Sequence, residues 1–333
     1  TMPISALPEQ IADWLVHFPA SGVLQFTDRG IEAIDKPECD GFVVLMGESL
    51  APEHVAITIK QIREMGMQVC GFMPFAVGNV WTVVLGTSAH SSDLMQWLKI
   101  QDWSIDGAHV AELPRLQAGG LILMDMDSTA IQIECIDEIA RLAGVGEQVS
   151  AVTAAAMHGK LDFAESLRNR VALLKDAPVS ILDQVANNIP LMPGLTDLVS
   201  TARSAGWKVA IASGGFTYFA GKLQRDLGLD HIESNVLDIE GAHLTGKVNG
   251  RIVDAKVKAE TLKELQARYQ ISDKQTVAIG DGANDLPMLK AAALGVAIHA
   301  KPVVREQAQV AIRHLNLEAV ICLLQAGDLI ARA

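Results

Sequence analysis

Residues 121–129 read Leu121-Ile122-Leu123-Met124-Asp125-Met126-Asp127-Ser128-Thr129. Four apolar residues, enough for a buried parallel strand, end in two carboxylates one residue apart, a hydroxyl pair and then a helical pattern. In an open α/β sheet the loops beyond the carboxyl ends of the strands form the binding crevice. Side chains two apart in an extended segment point the same way, so Asp125 and Asp127 both reach that crevice. Carboxylates this close repel each other unless a cation sits between them or one takes a proton. The pattern therefore predicts a magnesium site, with one acid as nucleophile and the other as proton shuttle.

Outward from this stretch the chain continues as strand, helix, strand, helix. Leu121–Met124, Lys208–Ala212, Thr276–Gly280 and Gly295–Ile298 are short, apolar and bounded by polar residues or glycine. This alternation predicts an α/β fold with a doubly wound parallel sheet over residues 120–333. Two insertions interrupt it. Residues 131–192, rich in Ala, Leu and Glu, are too long for a crossover and are expected to fold as a helical cap. Residues 234–253 carry a hairpin signal, with strands Val236–Ile239 and Ala242–Val248 about Glu240-Gly241.

On the other side, Glu112 to Gly120 reads as a linker, and residues 1–115 as a separate domain. Residues 1–40 are read as a preamble with a short helix over Pro8–Leu15. Phe42–Met46 is strand-like, and a helix starts at Pro52 with Val55, Ile59 and Ile62 at helical spacing. Met67–Met73 and Val80–Leu85 read as strands joined by a Gly78-Asn79 turn. A helix over Ser92–Ile100 and a strand over Trp103–Val110 complete a βαββαβ, ferredoxin-like order. This part carries no catalytic constellation.

The bulk numbers agree with two domains. The chain has 333 residues, half of them apolar and 20% charged, enough for two cores and against wholesale disorder. The net charge of −12 argues against nucleic-acid or anionic-membrane binding. It leaves a small anionic substrate open, since a metal ion and one Lys reverse the sign locally. Cys39, Cys70, Cys135 and Cys322 show no C-x-x-C spacing, as expected of reduced thiols in a cytoplasmic protein. No apolar run approaches a membrane span, and Glu9 and Asp13 lie where a signal peptide would be basic or apolar.

Two further clusters fall at the expected carboxyl edge. Lys208–Ala212 runs into Ser213-Gly214-Gly215, whose hydroxyl and free N–H groups suit a phosphate cradle. Thr276–Gly280 runs into Asp281-Gly282-Ala283-Asn284-Asp285. Lys258 lies on the helix between them. Taken singly, each feature has a bland reading: the acid as a helix cap, Ser-Gly-Gly as a turn, the lysine as a solvated residue. By composition Lys256, Lys263 or Lys274 would serve as well as Lys258. Three strands ending in such clusters within one sheet are not explained that way.

These motifs, D-M-D-S-T at 125–129, S-G-G at 213–215, Lys258 and G-D-G-A-N-D at 280–285, resemble the haloacid-dehalogenase-like phosphatases over roughly residues 120–330. In the cap, Glu134 in Ile131-Gln-Ile-Glu-Cys-Ile-Asp-Glu138 and the run Gly159 to Val171 resemble the phosphoserine-phosphatase branch of that superfamily. The βαββαβ unit resembles the ACT-like regulatory and dimerisation domains of its longer bacterial members. One departure is Ala130, where Leu is common.

The resemblance implies a hydrolase acting on O-phospho-L-serine in the last step of L-serine biosynthesis. Asp125 would be the nucleophile that becomes an aspartyl-phosphate, and Asp127 the general acid and base. Asp125, the Asp127 carbonyl and Asp281 would hold Mg²⁺, with Asp285 as a further ligand or acting through water. Ser213, Gly214 and Lys258 would hold phosphate oxygens, oriented by Asn284. Glu134 would pair with the substrate ammonium, Arg170 with its carboxylate, and Phe163 would wall off water. Spacing alone does not choose Arg170 over Arg168. A homodimer and an L-serine effector site are further implications. Two other readings compete: phosphoryl transfer to another alcohol such as homoserine, and a non-enzymatic phospho-receiver. The receiver would have no need of Asp127 or of a cap.

Overall fold

The computed structural model describes residues 22–333. The expected helix over Pro8–Leu15 lies outside the described residues. The N-terminal part runs β1 (Val23–Thr27), β2 (Gly30–Ala33), β3 (Gly41–Gly47), α1 (Pro52–Glu64), β4 (Val69–Phe72), β5 (Phe75–Val77), β6 (Val80–Thr87), α2 (Ser92–Lys99) and β7 (Asp106–Val110). Its strands form one antiparallel sheet in the order β2-β1-β4-β6-β3-β7, with β5 beside β6. The βαββαβ order is present as β3–α1–β4–β6–α2–β7, and Val55, Ile59 and Ile62 of α1 are fully buried against the sheet.

Two expectations need correction here. Residues 23–33 are not a preamble: β1 pairs with β4 and β2 with β1, extending the sheet. The Gly78-Asn79 turn joins β5, not the Met67–Met73 strand, to β6 through Val77↔Val80. Pro74 explains the break, because it has no N–H to give a ladder and splits β4 from β5.

The second part runs β8 (Leu121–Met124), α3 (Cys135–Leu142), α4 (Gly146–Met157), α5 (Phe163–Ala172), α6 (Val179–Asn187), α7 (Leu195–Ser204), β9 (Lys208–Phe216), α8 (Thr217–Leu227), β10 (His231–Glu240), β11 (His243–Asn249), α9 (Ala255–Arg268), β12 (Thr276–Gly280), α10 (Leu286–Ala291), β13 (Leu294–Ile298), α11 (Pro302–Gln307), β14 (Val310–Ile312) and α12 (Glu318–Arg332). The sheet order is β11-β10-β9-β8-β12-β13-β14. All neighbours are parallel except β10 and β11. Leu121 to Met124 are fully buried, as a strand covered on both faces requires.

The cap is four helices, α3 to α6. The second insertion differs from expectation in that β10 is one long strand, parallel to β9 in its first half and hairpin-paired to β11 in its second. The hairpin tip reaches the cap, where Val179 N–H donates to Ala242 O at 2.8 Å and Asp176 N–H to Leu244 O at 2.9 Å. The first half of β10 and the strand β14 were not foreseen.

The two parts are tied together. Asp106 on β7 is buried and accepts the backbone N–H groups of Arg313, His314 and Leu315. Trp207 Nε1–H donates to Leu116 O at 2.7 Å, and one apolar core runs from Val44 and Val84 through α12 to the catalytic sheet.

Candidate active site

The chain leaves β8 still extended at Asp125 (φ −67°, ψ 160°). The alternation continues for two residues. Asp125 faces the crevice, Met126 is fully buried, and Asp127 returns to the crevice. The backbone then makes one wide turn, closed by Ile131 N–H to Met126 O at 3.0 Å. At its corner Ser128 takes φ +58°, a left-handed conformation that a non-glycine residue seldom adopts. The turn sends Ser128 Oγ to Glu134 Oε1 at 2.7 Å and Thr129 Oγ1 to Asp281 Oδ1 at 2.9 Å. The hydroxyl pair thus orients two acids, a role not assigned to it from the sequence.

Lys258 is fully buried and bridges two carboxylates, donating to Asp125 Oδ1 at 3.1 Å and to Asp285 Oδ1 at 2.8 Å. Asp285 Oδ2 accepts the N–H groups of Asp281 and Gly282, each at 3.1 Å. Of the candidate lysines, Lys258 is therefore the one in the site. Asp125 Oδ1 also accepts from its neighbour Met126 N–H at 2.8 Å.

Burial opposes the charge on Lys258, but Asp125 and Asp285 outweigh it and hold the ammonium protonated. For Asp125, burial and then the Asp285 charge push the carboxyl well above its usual range. Burial and Asp285 likewise raise Asp281 to about 6. Asp127 is pushed up to about 7, by burial first and the nearby Glu134 second, against a long bond from Cys135 N–H at 3.4 Å.

Asp125, Asp281 and Asp285 each offer an oxygen, and the three oxygens lie within 4.8 Å of one another. One lysine does not neutralise three acids, so a hard divalent cation suits this all-oxygen set. The Asp127 carboxylate is outside this group and turns toward the start of α3. Asp285 is the deepest of the three and already holds three donors.

The cradle sits across the crevice. Ser213 is buried and its Oγ accepts Gly215 N–H at 2.9 Å, which leaves the hydroxyl proton free to donate outward. A Cβ on Gly214 would lie 2.7 Å from Phe163 Cζ, and one on Gly215 would lie 2.8 Å from Met126 Cε and 3.1 Å from Asp127 Oδ2. Only glycines let this strand end approach the acids and the cap together. Asn235, at the bulge in β10, fixes the loop through Nδ2–H to Gly214 O at 2.9 Å and accepts Val253 N–H at 2.8 Å. No sequence motif marked Asn235.

One cleft of about 590 Å³ is lined by Asp125, Asp127, Glu134, Phe163, Arg170, Ser213, Gly214, Lys258, Asp281 and Asn284. Every candidate from the sequence is there except Asp285, which lies behind Lys258. Arg170 faces the cleft while Arg168 is exposed outside it. Burial lowers the Arg170 pKa, and Asp137, Glu134 and Asp127 act to raise it. Its Nε–H donates to Ser166 O at 3.3 Å. Glu134, at the N-terminus of α3, stands exposed at the cleft mouth.

A family model described as haloacid dehalogenase-like hydrolase matches residues 120–293. The chain is 52% identical over 270 residues to a phosphoserine phosphatase of Haemophilus influenzae, covering 80% of this chain and 85% of that one. The crystal structure of a "probable phosphoserine phosphatase" from Vibrio cholerae, unliganded, superposes with a TM-score of 0.77 at 42% identity, covering 97% and 96% of the two chains. A substrate-bound phosphoserine phosphatase complex superposes with a TM-score of 0.58 at 40% identity, covering 61% of this chain and 97% of that one. Taken with the four ordered motifs in one cleft, these matches show that the chain belongs to the haloacid dehalogenase-like hydrolases.

Proposed function

We propose that this chain is a phosphoserine phosphatase, hydrolysing O-phospho-L-serine to L-serine and phosphate through an aspartyl-phosphate at Asp125. The observation that carries this is the layout of the cleft: an acid pair at its floor, and Glu134 and Arg170 of opposite charge in the cap above.

Phosphate monoesters are very inert, and a carboxylate nucleophile divides their hydrolysis into two easier displacements. Lys258 and Met126 N–H both donate to Asp125 Oδ1, so Oδ2 is the oxygen available to attack phosphorus. Asp127 protonates the departing serine oxygen, then takes a proton from the water that cleaves the acyl phosphate. A carboxyl near 7 is suited to both tasks. The Ser213 hydroxyl, Gly214 N–H and Lys258 hold the non-bridging oxygens, with Asn284 orienting them. Asp125, the Asp127 carbonyl, Asp281 and Asp285 would hold Mg²⁺, which when bound supplies positive charge against the phosphate dianion.

Glu134 pairs with the substrate ammonium and Arg170 takes its carboxylate in a two-pronged bond. Phe163, packed on Gly214, excludes water. The N-terminal sheet serves as an ACT-like regulatory or dimerising domain with L-serine as effector, a reading supported by its βαββαβ order. The free thiols support a cytoplasmic setting.

The test is phosphate release from O-phospho-L-serine, with phosphothreonine and sugar phosphates alongside. Asp125→Asn and EDTA are each expected to lower turnover at least about 1,000-fold. Release from another ester alone would refute the roles of Glu134 and Arg170. A new phosphoester on adding homoserine would turn the reading to phosphoryl transfer.

A further inference from the structure

Cys39 and Cys70 lie far apart in sequence and meet in the N-terminal sheet. Cys70 is on β4, and Cys39 is in the segment leading into β3, two strands away. Between them runs β6, whose Gly86 is the register partner of both Cys70 and Phe42. The two Sγ atoms are 3.5 Å apart.

Gly86 creates the space for them. A Cβ there would lie 2.3 Å from Cys39 Sγ and 2.7 Å from Cys70 Sγ. A glycine inside a buried strand weakens it, and here it is where two sulfurs cross the sheet face. The face is the one turned toward the catalytic part, since Cys70 belongs to the core shared with α12, and Cys39 packs against that core.

The pair is also reachable. Cys39 is half-buried, and a cavity of about 210 Å³ lined by Lys36, Glu38, Gln68, Cys70 and Gly86 opens beside it. Cys135 and Cys322, by contrast, are fully buried singly in the catalytic part.

We propose that Cys39 and Cys70 form a reversible thiol–disulfide site, with Cys39 as the attacking thiol and Cys70 as the resolving one, oxidised by small-molecule peroxides. The Cys39 thiolate attacks one peroxide oxygen, the O–O bond breaks, and hydroxide leaves, giving a sulfenic acid. The Cys70 thiol then attacks that sulfur, the S–O bond breaks, and the Cys70 proton leaves with the hydroxyl as water. The two sulfurs lose two electrons in all and the peroxide gains them. Closure from 3.5 Å to a bond of about 2.0 Å needs side-chain rotation of the pair. The hydrogen bond from Cys70 holds the Cys39 thiol below its ordinary pKa, which favours Cys39 as the first to react.

The experiment is peptide mapping by mass spectrometry on the full chain. The protein is reduced, freed of reductant, exposed to hydrogen peroxide and digested without reductant. Cleavage at Lys60 and Arg63 separates the two cysteines. The expected result is a linked pair of peptides carrying Cys39 and Cys70, two mass units below their sum and released by dithiothreitol. Cys70→Ser is expected to leave Cys39 as a sulfenic acid that dimedone traps. Unlinked peptides in the natural protein would overturn the proposal, whether Cys39 is recovered as a thiol or as a sulfinic acid. So would dimedone trapping at Cys70 in Cys39→Ser at the rate seen for Cys39.

Discussion

Among the described residues the N-terminal and catalytic sheets each hold seven strands, yet they treat buried charged and ring groups differently. In the first, the buried acid and the buried ring are both met, and Thr82 Oγ1 is the buried side-chain atom left without a partner there among the described residues. Asp106 accepts three backbone N–H groups from the segment after β14. The neutral His109 ring donates Nδ1–H to Phe42 O at 3.0 Å and accepts Ser91 N–H at Nε2 at 2.9 Å. In the second, Asp125, Asp281 and Asp285 crowd round one lysine, and Asp127 stands close by. Fully satisfied polar groups hold a fold together. Like charges left facing each other mark a place kept ready for a cation, a proton or a phosphate.

Four substitutions or titrations test this contrast. Lys258→Met is expected to have the largest effect on stability, about 3–5 kcal/mol, read from the denaturant midpoint. It leaves Asp125 and Asp285 buried without their cation, and a second change, Asp285→Asn, is expected to recover part of the loss. A Lys258→Met protein as stable as the parent would show that the buried acids do not depend on this cation for the fold.

Arg170→Ala is expected to raise KM by roughly 30–100-fold, about 2–3 kcal/mol, with kcat changed less. Arg168→Ala serves as the control and is expected to leave both unchanged. Equal effects from the two would remove the case for Arg170 in the cleft.

Asp106→Ala strands three N–H groups at the boundary and is expected to cost about 1–3 kcal/mol, again by denaturant midpoint. A loss larger than that of Lys258→Met would reverse the contrast.

The last test is a pH dependence. Burial lowers the His109 pKa to about 4, against about 6.5 in an unfolded chain. Between those values the unfolded state binds more protons, so stability falls as pH drops from 6.5 toward 4. Protonation would also remove the acceptor for Ser91 N–H. His109→Gln keeps a donor and an acceptor there, and is expected to flatten the slope in that window.

The legible parts of the catalytic half were those with strong local chemistry. Leu121–Met124 and Thr276–Gly280 have the expected bounds and buried aliphatic centres, because a parallel strand covered on both faces needs continuous apolar residues. By contrast β10 begins with His231, Ile232 and Glu233 and is only half covered, so no clean period marked it. In the N-terminal half, β2 at the sheet edge and β1 beside it carried too little pattern to be seen, and Pro74 moved a hairpin that the Gly78-Asn79 signal had located correctly. Asn235 and Thr129 were missed as site residues because each acts on a partner distant in sequence, Gly214 in one case and Asp281 in the other.

By itself the sequence determined which residue types meet at the sheet edge, since strand-end acids, Ser-Gly-Gly and the ordered motifs are local patterns. Spacing and composition did not choose which lysine and which arginine join them; the family resemblance named Lys258 and Arg170, and the tertiary structure puts both at the cleft. Lys258 and Lys256 are the same residue type two places apart on one helix, as are Arg170 and Arg168; one of each pair is turned inward and the other outward because of which helix face packs on distant strands. The same holds for the electrostatics. A carboxyl near 7 at Asp127 comes from burial and from a neighbour seven residues on, Glu134, brought back by the wide turn at Ser128. Local pattern names the groups, and only packing sets the distances and the water exclusion on which their charges depend.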